Sequence, residues 1–79
     1  MQLGRNGAVR VGLVTRWNPK FQIGVIFVGF GEQYFLHENE VEAGWPGLGA
    51  EVLFRVSDRK PEPGRMPNAI SVRVISSKQ

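Results

Sequence analysis

No stretch of eleven or more residues in this chain repeats apolar side chains at the helical spacing i, i+3, i+4, i+7 without a Gly or Pro inside it. That property removes helical and α/β architectures and leaves strands to bury the apolar residues. Strand signals are plentiful. Val9, Val11 and Leu13 alternate with Arg10 and Gly12, and the run extends over residues 9–17 before the breaker pair Asn18-Pro19. Residues 23–28 form a β-branched run closed by Gly29-Phe30-Gly31, and residues 34–37 follow as a short third strand. Short Gly-containing connections join such runs as hairpins, so the first three strands are predicted to form a meander. Residues 38–49 hold four glycines or prolines and three glutamates, which predicts a long connection with at most one helical turn. Val52, Phe54 and Val56 alternate with Leu53 and Arg55, and Ile70, Val72 and Val74 alternate with Ser71 and Arg73. Between them, residues 57–68 are rich in Pro and charge and are predicted to be an exposed, mobile loop. Five strands without a helix point to a small closed or nearly closed barrel, because closure removes the edges that a flat sheet would expose.

Size narrows this further. At 79 residues and 8.8 kDa, with no cysteine, the chain is expected to be one domain over residues 1–79, with its core in 8–75 and flexible ends at 1–7 and 76–79. Neither a disulfide framework nor a thiolate metal site is available to support it, so burial must. The first ten residues carry two arginines and no apolar run, which fits neither a signal peptide nor an anchor. No window approaches the roughly 20 apolar residues of a membrane span. The expected location is the cytoplasm, with the nucleus as the alternative, and the expected state is a monomer off the membrane.

Net charge is +3, but its distribution says more. Residues 1–20 carry Arg5, Arg10, Arg16 and Lys20 and no acid. Residues 21–54 carry Glu32, Glu38, Glu40, Glu42 and Glu51 and no Lys or Arg. Beyond Phe54, six basic residues stand against Asp58 and Glu62. Two basic ends that meet in space would form a positive surface beside a negative one, suited to an anionic partner.

Catalysis is poorly served. With one His, one Asp and no Cys, a Ser-His-Asp arrangement would need His37 and Asp58 together with one of four serines, three of which crowd the C-terminus. Glu38, Glu40 and Glu42 sit in a Gly-rich connection that would not desolvate a carboxylate for acid-base work. A metal held by His37 with Glu38 or Glu40 would lack the three or four converging ligands required. The expectation is a protein that is not an enzyme and has no cofactor or metal.

The aromatic residues are more informative. If Ile26, Val28, Tyr34 and Leu36 face inward, period two turns Phe35 and His37 outward on one strand and Ile23, Val25 and Phe27 outward on its neighbour. The result is an apolar and aromatic patch flanked by Arg16, Trp17 and Lys20. Rings beside cations suit unstacked bases, since stacking is worth about 1–3 kcal/mol per base and cations neutralise phosphates.

The order of these features resembles the cold-shock domain. Gly12-Leu13-Val14-Thr15-Arg16-Trp17-Asn18 is similar to that family's opening G-x-V-K-W-F-N. Phe21-Gln22-Ile23-Gly24-Val25-Ile26 resembles its first ribonucleoprotein motif, K-G-F-G-F-I, and Tyr34-Phe35-Leu36-His37-Glu38 its second, V-F-V-H-F. Met66-Pro67-Asn68-Ala69-Ile70-Ser71-Val72 is similar to the closing G-P-Q-A-A-N-V. The resemblance implies an all-β, five-stranded Greek-key barrel of the oligonucleotide/oligosaccharide-binding fold, cold-shock type, that binds single-stranded RNA or DNA. Departures are equally visible. Ile23 and Val25 replace two stacking phenylalanines, Arg16 replaces the leading tryptophan, and Glu38 replaces the last aromatic. Phe21 stands where the family has the motif lysine, with Lys20 one place earlier. This depleted pattern resembles the divergent cold-shock domains of upstream-of-N-ras-type RNA-binding proteins.

The resemblance and the patch together predict a nucleic-acid interface of Arg16, Trp17, Lys20, Phe21, Ile23, Val25, Phe35, His37, Trp45, Arg59, Lys60 and Arg65. Trp17, Phe35, His37 and Trp45 would stack bases, and Arg16, Lys20, Arg59, Lys60 and Arg65 would meet phosphates. The partner expected is single-stranded RNA more than DNA, bound with low sequence specificity. The alternative is a protein-interaction or scaffold module with little nucleic-acid affinity, docking an apolar surface on Ile23, Val25, Phe27 and Phe35.

Overall fold

A computed structural model describes residues 9–77. Of the expected flexible ends, residues 1–7, 78 and 79 lie outside the described residues. Ser76 does not begin a tail: it closes the last strand and pairs with Glu51.

The chain is all-β. Strands β1 (Val9–Asn18), β2 (Ile23–Gly29) and β3 (Glu32–His37) form the predicted meander. A 3-10 turn, Glu38–Glu40, leads into β4 (Val41–Ala43), and β5 (Glu51–Val56) and β6 (Ala69–Ser76) complete the sheet. Among the described residues the strand count is therefore six, where the sequence predicts five. Val41-Glu42-Ala43 is too short to display a period, and its partner is β6, alongside which it runs parallel. The order is β3-β2-β1-β5-β6-β4, in one curled, open sheet shaped as a half-barrel. Its β3 edge bends round to the chain just before β6, where the Phe35 N–H donates to the Pro67 carbonyl at 2.8 Å and Phe35 bridges Asn68.

Turn chemistry explains the connections. The Asn18 side-chain oxygen accepts from the Lys20 and Phe21 N–H groups at 2.9 and 3.2 Å, an Asx turn that starts the four-residue link to β2. The β2–β3 hairpin turns on Phe30-Gly31, both at positive φ (53° and 80°), as a two-residue primed turn requires. In the 57–68 loop, Arg65 N–H donates to Glu62 C=O at 2.9 Å across Pro63-Gly64, with Gly64 at φ 82°, the pattern of a type II turn. The loop is exposed as predicted, and its ends are tied by Ser57 N–H to Asn68 C=O at 2.9 Å.

The core is Val14, Ile26, Tyr34, Leu36, Ala50, Val52, Phe54, Ala69 and Val72, with the Tyr34 and Phe54 rings 5.3 Å apart. Ile26, Tyr34 and Leu36 face inward as period two predicts. On β1 the strand prediction holds, but the alternating apolar set points outward: Gly12 and Val14 are buried, and Val9, Val11 and Leu13 are 44–48 % exposed. No Cβ fits at Gly12, where it would collide with Ile26 and lie 3.1 Å from the Phe27 carbonyl. The inward side of β1 is thus thin because β2 and β5 press close to it.

A β-bulge then resets the strand. Val14 pairs Ile26 and Arg16 pairs Val25, so Thr15 is an extra residue with no partner of its own. Were Thr15 paired in unbroken alternation, Arg16 would continue the inward series after Gly12 and Val14. With the bulge, Arg16 faces outward and Trp17 takes the inward place.

Candidate functional site

Residues directly opposite one another in an antiparallel pair share a face. The registers of β1, β2 and β3 therefore define rows across the outer surface: Arg16–Val25–Phe35, Asn18–Ile23–His37 and Leu13–Phe27–Gln33. Val25, Phe35, Ile23 and His37 are half-buried there, and Arg16 is exposed.

Three open clefts meet at Phe35. The first, about 530 Å³, is lined by Arg16, Trp17, Ile23, Val25, Phe35, Leu48 and Met66. A second, about 810 Å³, adds the 57–68 loop through Arg59, Lys60, Arg65, Met66 and Asn68. The third, about 390 Å³, holds His37, Glu40, Asp58, Arg59 and Asn68. Each alone has the volume of a small-ligand pocket, but sharing one ring they form a trough suited to an extended ligand. Charge is graded along it. Arg16 is the charged residue of the first cleft, and Arg59, Lys60 and Arg65 outnumber Glu62 in the second, whereas Glu40 and Asp58 line the third with His37 and Arg59. His37 Nδ1 accepts from the Asn39 N–H at 3.1 Å, which leaves Nε2 as the donor of the neutral ring.

Eight of the predicted residues, Arg16, Ile23, Val25, Phe35, His37, Arg59, Lys60 and Arg65, are thus brought together. Trp17 is placed differently. It pairs Gly24 in the row that ends at the buried Leu36 and packs against the core, while still lining one wall of the first cleft. Its ring lies over Gly24: a Cβ there would sit 2.8 Å from Trp17 Cε3 and collide with the Arg16 carbonyl. The Trp17 indole N–H is buried without a hydrogen-bond partner. Trp45, 62 % exposed, meets Trp17 edge-on at 6.2 Å between centroids. Lys20 and Phe21 stand apart on the β1–β2 turn, the Lys20 Nζ 5.6 Å from the Phe21 ring centre, and line none of the three clefts.

Leu48, Met66 and Asn68 join the trough although sequence reasoning gives them no binding role. Met66 and Asn68 lie within the closing motif, but it is the Phe35–Pro67 backbone bond and the Phe35–Asn68 bridge, between residues far apart in sequence, that bring them to the β3 edge.

On the core side, the Arg10 guanidinium donates to Glu32 at 2.6 Å and to the Tyr34 hydroxyl at 3.2 Å. The hydrogen bond to Glu32 is the main cause that raises Arg10 above its ordinary value, and the same bond holds the Glu32 carboxyl below its own. This pair fastens β1 to β3 away from the trough. Among the described residues, no group of three or more His, Asp or Glu is placed to hold a metal ion, and no helix is long and apolar enough to cross a membrane.

No protein-family model matches the chain, and no curated protein is similar enough in sequence to count as a relative.

Proposed function

We propose that this protein binds single-stranded nucleic acid, RNA in preference to DNA, with low sequence specificity, along the trough on the outer face of β1–β3. The observation that carries the reading is the convergence on Phe35 of a row of apolar side chains, a histidine and a loop with three cations. Phe35 and His37 offer π-faces to bases, Ile23 and Val25 give apolar contact, and Arg16 presents a guanidinium plane that stacks on a base as well as neutralising charge. Arg59, Lys60 and Arg65 meet phosphates, each contributing a slope of about −0.7 in log affinity against log salt. Two of the family's stacking rings are replaced by Ile23 and Val25, so affinity is modest.

The finer fold assignment belongs to the same proposal: a cold-shock-type, oligonucleotide/oligosaccharide-binding barrel. With the three-residue β4 set aside, five long strands run β3-β2-β1-β5-β6, and the bridge from Phe35 to Asn68 draws the two ends of that series together. Both features support the Greek-key closure implied by the sequence resemblance.

Amide-shift mapping with a short pyrimidine-rich RNA tests the reading, because it reports affinity and face together. Shifts should cluster on residues 16, 23–25, 35–37 and 59–68. No shift at low salt with tens of micromolar oligomer overturns the proposal, and leaves the same face to an apolar protein partner.

A further inference from the structure

The outward turn of the β1 apolar set leaves a surface that the nucleic-acid trough does not use. Val9, Val11 and Leu13 are 48, 47 and 44 % exposed, and Phe27, paired with Leu13, is 37 % exposed. On the other side, β5 supplies Arg55 opposite Val9, Leu53 opposite Val11 and Glu51 opposite Leu13. The apolar stripe therefore runs beside a column with a cation at one end, a leucine in the middle and a carboxylate at the other. Contiguous apolar surface of this kind marks an association site more often than chance.

We propose that this face pairs with the same face of a second copy of the chain. The argument is charge complementarity under two-fold symmetry. A two-fold axis lying in the interface, along the Val11–Leu53 row, superposes each strand on its antiparallel copy. Val11 then meets Val11 and Leu53 meets Leu53, while Val9 meets Leu13. Arg55 of each copy falls opposite Glu51 of the other, so both charged ends are matched twice. Reversing the copies about the perpendicular in-plane axis would place the charged column over the apolar stripe and leave both unsatisfied. The incoming Glu51 arrives beside Val9 at a groove lined by Leu53, Arg55, Ser71 and Arg73, where Glu42 already pairs with Arg73 at 3.8 Å and leaves Arg55 as the cation that Glu51 meets. Arg55 already has a contact within its own chain, and its five donors accommodate a second. Four partly exposed apolar side chains and two matched charge pairs make a small contact, so the dimer is weak, with a Kd of about 10 μM to 1 mM. The trough around Phe35 stays open in such a dimer, because it lies at the opposite end of β1.

Sedimentation equilibrium of the full chain, from about 10 μM to 1 mM, tests this. The apparent mass should climb from 8.8 kDa toward twice that value. Val11→Glu sets two carboxylates against each other on the axis and should abolish the rise. Glu51→Arg should weaken association at least tenfold, and Glu51→Arg combined with Arg55→Glu should restore it. Amide spectra confirm that each exposed-site variant is folded. A mass that stays monomeric at 1 mM overturns the proposal, whichever other surface covers the stripe. A dimer indifferent to Val11→Glu, or a double variant that fails to regain what the single variant lost, overturns it equally.

Discussion

Phe35→Ala removes the ring at which the three clefts meet, and its consequences separate along three axes. The backbone bond from the Phe35 N–H to the Pro67 carbonyl does not involve the side chain, so the sheet edge and the 57–68 loop keep their attachment. Truncating a fully buried Phe costs about 3–5 kcal/mol; Phe35 is half-buried, and its loss should cost about 2 kcal/mol. At about 4–8 °C per kcal/mol for a domain of this size, the midpoint falls by roughly 8–16 °C and the protein remains folded at room temperature. Binding loses one stacking platform, about 1–3 kcal/mol, which is about 5- to 150-fold in Kd. The salt dependence should not change, because no cation is removed. Titration of a pyrimidine-rich oligonucleotide into the protein, following Trp17 and Trp45 emission at four salt concentrations, reads both quantities, and amide spectra confirm the fold. Arg59→Ala is the counterpart: a smaller affinity loss together with a slope shallower by about 0.7. An affinity for Phe35→Ala within twofold of the parent, at preserved fold, would refute the trough as the binding surface.

Other sites report on the scaffold. Gly24→Ala forces a Cβ into the Arg16 carbonyl and the Trp17 ring; it should destabilise by about 1–3 kcal/mol and red-shift the tryptophan emission as the ring is expelled, and a parental melting temperature would contradict the packing. Phe30, fully exposed at φ 53°, sits in a left-handed position without packing to compensate, so Phe30→Asn should gain about 0.5–1 kcal/mol, visible as a higher melting midpoint. The Glu32 carboxyl is held below its ordinary value of 4.5 by Arg10, so the unfolded chain takes up that proton first as pH falls. The pair's contribution is complete above pH 4.5 and disappears as pH drops through the lower folded value. Melting curves of the parent and Glu32→Gln should differ at pH 6 and converge near pH 2; a constant gap across that range would exclude this linkage.

What the sequence makes legible depends on whether the signal is local. Period two assigns Ile26, Tyr34 and Leu36 to the interior, and with them the outward places of Ile23, Val25, Phe35 and His37, because each lies in an unbroken strand. The same rule misleads on β1, where Val9, Val11 and Leu13 look like a core face but are exposed. The inward face there is made of Gly12 and Val14, and glycine carries no hydrophobic signal although close approach of β2 demands it. Trp17 escapes for a related reason, since an unpaired Thr15 is invisible to alternation. β4 pairs with residues about thirty positions away, and the bond and bridge that bring Met66 and Asn68 to Phe35 span about as many. No window of neighbouring residues contains that information.

Thr15 thus works as a phase shift of half a period, and everything downstream on β1 inherits it. Deleting this single unpaired residue would close the strand into plain alternation without turning its neighbours over, because Val14, Arg16 and Trp17 already oppose the consecutive residues Ile26, Val25 and Gly24; the Arg16 guanidinium would stay outward and the Trp17 indole against the core. Straightening the strand with Thr15 kept would do the opposite: Thr15 would take Val25 as its partner, Arg16 would move into the row of Gly24 and Leu36, and an apolar side chain would then be needed at position 16 to keep the interior dry.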